Sequence, residues 1–247
     1  MTQIRTVEHA GASTSIGMAG NPGYHLVKRV LDLLAATVLS LVAVPVMLMV
    51  ALAIRIDGPG PILFKQERVR GRRIKVDGHR EWQLETFTMY KFRTMHPTAT
   101  DELHRRYIAA YLAGDEPAMA ELRPGDDTGG TYKLSDDPRI TRVGRPIRKL
   151  SLDELPQLWN VLTGQMALVG PRPPLCYEVA DYEEHHLRRL AARPGITGWW
   201  QVNGRSETSF EEMMRLDLEY LDRRSLWLDI VIILRTLPAI VSTRGAG

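Results

Sequence analysis

The sequence predicts a mostly α-helical protein with a few short strands: a membrane helix that enters and returns, then a cytosolic domain with amphipathic helices at the membrane interface. Three observations carry this expectation. Val30 to Ile54 is apolar except at Asp32, Thr37 and Ser40, and contains Pro45. Asp101 to Leu122 and Phe210 to Arg223 place apolar residues at helical spacing. Only Pro61 to Phe64 and Leu84 to Phe92 carry the β-branched and aromatic residues of strands.

Met1 to Gly23 is rich in Gly, Ala, Ser and Thr without an apolar period, and reads as a flexible tail over residues 1–23. The membrane segment follows, over residues 24–57. An apolar run of roughly 25 residues is long enough to cross a bilayer, but three features favour a re-entrant path. Pro45 removes a backbone N–H and clashes with the carbonyl of Leu41. Both flanks are basic, with Lys28 and Arg29 before the run and Arg55, Lys65, Arg68, Arg70, Arg72, Arg73 and Lys75 after it, and basic flanks favour the cytoplasmic side. Asp32 is costly in lipid but tolerable at an interface beside Lys28 or Arg29. Two arms broken at Pro45, rising about 1.5 Å per residue, are each too short to cross about 30 Å of hydrocarbon. An ordinary kinked transmembrane helix is the alternative.

Residues 58–247 form the cytosolic domain in this reading. Pro59, Gly60 and Pro61 make a turn. Arg123 to Asp137 is an acidic loop, in which Asp126-Asp127 and Asp136-Asp137 read as solvated acids. Leu155 to Leu162, Tyr177 to Arg193 and Leu226 to Val241 read as further helices. The last is nearly all apolar, either a core helix or one lying in the membrane interface with Trp227 at headgroup level. His185 and His186, adjacent on a helix, are expected to diverge, which argues against zinc. The single cysteine, Cys176, excludes an intramolecular disulfide and reads as a small buried hydrophobe. The net charge of +3 and pI near 9.1 suit anionic partners without choosing among them.

The densest chemistry lies between Arg145 and Pro174. A carboxylate pair, Asp153-Glu154, stands among Arg145, Arg148, Lys149 and Arg172, a combination suited to a phosphate-bearing substrate. Ser151 to Glu154 fits a capping box. Pro156 fits better with Asp153 as the N-cap, which places Asp153 at a helix N-terminus where an anion is favoured. Capping alone and catalysis both remain open. An aspartate there can attack phosphorus to give an acyl phosphate, and a neighbouring glutamate can hold Mg²⁺ or accept a proton.

The ordered motifs are Lys28-Arg-x-x-Asp32, Gly58-Pro-Gly-Pro61, Phe64-Lys-Gln-Glu-Arg68, Lys91-Phe-Arg-Thr-Met95, Asp137-Pro-Arg-Ile-Thr-Arg-Val-Gly144, Leu152-Asp-Glu-Leu-Pro-Gln-Leu158, Asn160-Val-Leu, Leu168-Val-Gly-Pro-Arg-Pro173, Arg193-Pro-Gly-Ile-Thr-Gly198 and Gln201-Val-Asn-Gly-Arg205. Together, over roughly Tyr24 to Gly245, the chain resembles the bacterial sugar transferases, the monotopic phosphoglycosyl transferases, in their minimal form. The resemblance implies transfer of a sugar-1-phosphate from a UDP-sugar to polyprenyl (undecaprenyl) phosphate with release of UMP. It implies Mg²⁺ held by Asp153 and Glu154, membrane lipids as partners, and no nucleic acid. The expected location is the cytoplasmic face of the inner membrane, at the start of polysaccharide assembly. Asp153 is the implied nucleophile of a ping-pong scheme, and Glu154 completes the catalytic dyad. Arg148 and Arg172, with Arg145 and Arg205, are the implied phosphate ligands, and Pro45 the helix break. The stretch around residues 98–131 is longer than the smallest members need, and Trp199-Trp200 replaces smaller residues. The sugar, the polymer and the oligomeric state, homo-oligomer included, are left open. The rival readings are a membrane-anchored lipid-binding module and a Mg²⁺-dependent lipid phosphohydrolase.

Overall fold

The computed structural model describes residues 22–76, 79–98, 102–122, 139–204 and 208–241. The expected tail before Pro22, both acidic pairs and Arg205 lie outside them. The described chain is mostly helical. Helix α1 is Pro22–Asp57, followed by strands β1 (Leu63–Val76) and β2 (His79–Phe92) and by helices α2 (Glu102–Ala113) and α3 (Glu116–Glu121). Then come α4 (Gly144–Lys149), a 3₁₀ turn (Leu152–Glu154), α5 (Gln157–Leu162), β3 (Ala167–Val169), α6 (Cys176–Ala180) and α7 (Glu184–Leu187). After a second 3₁₀ turn (Arg188–Leu190) follow β4 (Gly195–Thr197), α8 (Trp199–Asn203), α9 (Phe210–Arg223) and α10 (Leu226–Val241).

Helix α1 is 36 residues long and uninterrupted, with Pro45 inside it. The sequence predicted two arms separated at Pro45, and the structure gives one helix. A proline costs one internal hydrogen bond, which bends a helix that its side-chain contacts continue to hold. Those contacts form one stripe. Asp32, Ala36, Val50 and Ile54 are buried on it, with Ala35 and Ala43 packed beside Ala36 in the core that contains Leu158, Val161 and Met166. Val50 and Ile54 pack on Phe92 and Ile147. Small residues let α1 approach closely, so its two halves both lie on the domain. The other faces, from Leu26 through Val42 to Leu52, are apolar and exposed.

The ends of α1 are fixed by polar contacts. Lys28 lies 3.6 Å from Asp32 and 2.9 Å from Asp229. The Leu168 N–H donates to Asp32 at 3.3 Å. Arg29 donates to the carbonyls of Val161 at 2.6 Å and Leu162 at 3.0 Å, at the C-terminus of α5, where a helix favours a cation. At the other end Arg93 donates to the carbonyls of Ile54, Gly58 and Pro59. Gly60 beside it has φ +115° and no room for a Cβ next to that guanidinium.

Strands β1 and β2 are 14 residues each and pair antiparallel from Leu63↔Phe92 to Val76↔His79. The sequence predicted strand only at the ends of this ribbon and read Lys65 to Lys75 as a basic stretch. Two of its cations, Arg70 and Arg72, instead pair across the ribbon with Glu85. The helix expected over Asp101 to Leu122 divides at Gly114, φ +65°, after which Asp115 caps α3 through the Ala118 N–H. The helix expected over Tyr177 to Arg193 is broken into α6, α7 and a 3₁₀ turn. Phe210–Arg223 and Leu226–Val241 are helices as predicted.

The parallel β3–β4 ladder, absent from the sequence reading, pairs Ala167 with Gly195 and Val169 with Thr197. A Cβ on Gly195 would stand 2.1 Å from the Gly170 nitrogen, so this crossing admits only glycine. A core of Tyr107, Tyr111, Trp200, Phe210, Met213 and Met214 joins α2, α8 and α9. Beneath it Arg189 and Asp217 form a fully buried ion pair, and Arg189 also donates to Tyr182 Oη and to the carbonyl of Arg172.

Removing one member of such a pair strands a buried charge. Asp217→Ala should lower the free energy of unfolding by about 3–5 kcal/mol, measured from the urea transition in detergent. Arg189→Met with Asp217→Leu should recover most of it, and a single-variant loss below about 1 kcal/mol would contradict the assignment.

Candidate active site

Ser151, with φ +55°, reverses the chain after α4 and opens the 3₁₀ turn that holds Asp153 and Glu154. Asp153 is therefore not the N-cap of α5. That helix starts at Gln157 behind Pro156, where a missing N–H costs nothing. The Ser151 side chain makes no capping bond either. The two carboxylates sit one short turn upstream of α5, out of its first N–H groups, and burial and charge set their properties in place of a helix dipole.

The charge comes from Lys91 at the end of β2. Its Nζ lies 2.8 Å from Glu154 Oε1 and 3.8 Å from Asp153 Oδ2. The side chains of Asp153, Glu154 and Lys91 are 14%, 26% and 18% exposed, so the ions are partly desolvated but reachable. Asn160 holds this geometry. Fully buried on α5, it accepts the Tyr90 N–H at 3.1 Å and donates to Thr88 O and Gln165 Oε1 at 2.7 Å each. The helix that continues from the carboxylates is thus bonded to the strand that carries Lys91.

A shallow cleft lies here, lined by Arg68, Lys91, Glu154, Gln157, Arg172 and Gln201 among others. Arg172 reaches it because the Gly170–Gly195 crossing and the Arg189 bond fix the backbone on either side of Pro171. Arg148 is half-buried on α4 and Arg145, on the same helix, is exposed, and neither lines the cleft.

His104 was missed by the sequence reading. It comes from α2, within the extra stretch around residues 98–131, and its Nδ1 shares a 2.6 Å hydrogen bond with the Tyr177 hydroxyl. Arg105 lies 4.8 Å over the same tyrosine ring. Burial first, then Arg68, Arg172, Arg139 and Arg148, lower the His104 pKa to about 4. The ring is neutral at physiological pH and adds no charge to the arginine group it faces. Lys91 was missed as well. Its motif was noted, but only the strand register brings it opposite residues more than 60 positions away.

Two other groups are not part of this chemistry. The Cys176 thiol is pushed up from its usual range by burial and Glu67, which keeps it protonated. The rings of His185 and His186, expected to diverge, are 3.8 Å apart, and with Glu211 their ligand atoms lie within 4.8 Å of one another. His186 Nδ1 accepts the Glu183 N–H, which leaves the proton on Nε2, the atom facing Glu211, and no lone pair there for a metal.

The family model for bacterial sugar transferases matches residues 23–243. The chain belongs to that family. The transferase is 34% identical over 239 residues to the exopolysaccharide production protein ExoY of Rhizobium meliloti, covering 97% of this chain and 93% of the relative. It is 37% identical over 253 residues to a UDP-glucose:undecaprenyl-phosphate glucose-1-phosphate transferase of Caulobacter vibrioides, covering 99% and 79%. It is 41% identical over 224 residues to the galactosyl transferase CpsE of Streptococcus agalactiae, covering 90% of this chain but 44% of that longer protein.

Lys91→Met removes the ammonium that bridges both carboxylates of the transferase. Activity should fall by about 10-fold or more. The acid limb of the pH–rate profile should move to higher pH, since a carboxylate that loses a neighbouring cation binds its proton more tightly. A limb that stays in place would show that Lys91 does not set the charge state of Asp153 and Glu154.

Proposed function

We propose that the transferase moves a sugar-1-phosphate from a UDP-sugar to undecaprenyl phosphate, in two steps through Asp153. The observation that carries this reading is the Asp153–Glu154 pair, bridged by Lys91, at the edge of a cleft lined by Lys91, Glu154 and Arg172. The names of relatives support it: the Caulobacter protein above, and an undecaprenyl-phosphate galactose phosphotransferase of Salmonella typhimurium at 38% identity over 219 residues.

In the first step an Asp153 oxygen attacks the phosphorus that carries the sugar. The bond from that phosphorus to the bridging oxygen breaks, and UMP leaves with the bridging oxygen. In the second, an oxygen of the carrier phosphate attacks the same phosphorus, the aspartyl–phosphorus bond breaks, and Asp153 is restored as a carboxylate. An ionised aspartate needs no base for the first attack. Arg172 and Arg148, and Arg205 by motif, would neutralise the phosphoryl oxygens. Arg145, exposed, is suited to attracting the donor.

The donor set fits Mg²⁺. Asp153 and Glu154 offer hard oxygens on consecutive residues, and the ammonium between them occupies a place that favours a cation. When bound, the ion would screen the pyrophosphate charge, with Asp153 and Glu154 as its protein ligands.

Donor alone should give one UMP per enzyme and a sugar-phosphate adduct on the intact protein by mass spectrometry. Asp153→Asn should abolish the adduct and lower turnover by at least about 1,000-fold. Full turnover with lipid but no adduct without it would overturn the two-step scheme, and release of free phosphate would point to a phosphohydrolase.

We further propose that both ends of α1 face the cytoplasm at the inner membrane. The buried stripe from Asp32 to Ile54 supports this, because a helix crossing away from the domain would touch it at one end only. Gly23→Cys and Gly58→Cys should both resist an impermeant thiol reagent in intact cells. Gly58 has open space for a side chain, which Gly60 lacks. Labelling of either one from outside would mean a true span.

A further inference from the structure

A second cavity, of about 60 Å³ and open to solvent, lies where the first turns of α1 meet the far half of the ribbon. It is separate from the catalytic cleft. Arg73 on its wall is five residues along β1 from Arg68 on the cleft wall, about 17 Å at the rise of a strand. Four cations line it, Lys28, Arg73, Arg193 and Arg224, against one carboxylate, Asp32. Lys28 is already engaged by Asp229 behind the wall. Arg224 donates to the Ala191 carbonyl at 3.1 Å, and among the described residues neither Arg193 nor Arg224 forms an ion pair.

The wall also carries unmatched polar atoms. Trp82 is 4% exposed, and its indole N–H has no hydrogen-bond partner among the described residues. The same holds for Nε2 of His25, whose ring lies edge-on to Trp82 at 6.1 Å. A buried indole N–H without a partner is rare in folded proteins, and an acceptor in the cavity accounts for it. Burial, and next the neighbouring Arg29, push the Arg193 guanidinium below its ordinary range, with Asp32 acting the other way.

We propose that this cavity binds the phosphate of an anionic lipid headgroup, with Trp82 donating its indole N–H and Arg193 and Arg224 neutralising the charge. A lipid is favoured over a soluble anion by what adjoins the cavity. The helix that forms one wall presents Leu26, Val27, Val30 and Leu31 to the outside, an apolar surface for acyl chains beginning at the same turns. The proposal rests on the membrane placement of α1 and not on the transfer reaction, so the two can fail separately.

The test uses the full-length protein in mild detergent, offered phosphatidylglycerol or phosphatidylcholine, with retained lipids counted by native mass spectrometry. The wild type should retain phosphatidylglycerol about 5-fold or more over phosphatidylcholine, and Arg193→Gln with Arg224→Gln should reduce the preference to about 2-fold or less. Trp82→Phe, which keeps the ring and removes only the donor, should fall between them. The urea transition reports whether each variant is folded. Should the double variant misfold, the wild-type preference and Trp82→Phe decide. Equal retention of the two lipids by the wild type, or an undiminished preference in folded variants, would overturn the proposal. Displacement of bound lipid by inorganic phosphate would confirm the shared chemistry. Binding of inorganic phosphate without a preference for phosphatidylglycerol would overturn the lipid assignment and leave a free-anion site.

Discussion

The placement of α1 depends on a set of charges that cannot be left alone. Lys28, Arg29 and Asp32 sit on a helix whose outer faces are apolar, and each is answered by the domain: Asp229 for Lys28, the last carbonyls of α5 for Arg29, the Leu168 N–H for Asp32. Asp229 is itself held by Tyr220 at 2.8 Å and Tyr24 at 3.1 Å. The interaction is therefore shared among α1, α5, β3, α9 and α10, and any one of these elements displaced would leave a buried charge without its partner. Packing of Ala36 against Leu158 and Val161 then follows, because the polar contacts have already fixed the face of α1 that meets the domain.

Helix α1 and the carboxylates are coupled through three consecutive residues, Lys91 and Phe92 at the end of β2 and Arg93 just after it. Lys91 turns to Asp153 and Glu154, Phe92 to the core around Ile54, and Arg93 to the carbonyls that end α1. Alternation along the strand sends Lys91 and Phe92 to opposite faces, and Arg93 lies just past its end. A shift of the ribbon by one residue would exchange the faces and separate the ammonium from both carboxylates. On the far side of the cleft, the Gly170–Gly195 crossing and the Arg189–Asp217 pair do the same for Arg172. The carboxylates, Lys91 and Arg172, from distant parts of the chain, are held by backbone contacts that leave little slack.

Much of this was legible in the sequence where the signal is local. The apolar run with Pro45, the period of Phe210 to Arg223 and the Asp153-Glu154 pair among arginines are patterns within a few residues of one another. What stayed hidden depends on partners far away. Lys65 to Lys75 looks like a basic tail because Glu85 is not adjacent in sequence. One local signal was passed over: Asp77-Gly78, the two residues between strands paired at Val76 and His79, is a strong hairpin pair. Asp153 was placed at a helix N-terminus by the position of Pro156, but Ser151 in a left-handed conformation inserted a separate turn ahead of α5. His104 carried no signal at all, since its meaning comes from Tyr177, 73 residues on.

The pairing of Lys28 with Asp229 spans 201 positions. At translation rates of roughly 5–20 residues per second, the lysine leaves the ribosome about 10–40 s before its partner exists. During that interval Lys28 has only Asp32, one turn along α1, to answer it, while Arg29 gains the carbonyls of Val161 and Leu162 earlier. The order of synthesis thus sets an order of docking: α5 can take hold of α1 first, and only a chain translated almost to its end can lock Lys28 against the folded domain.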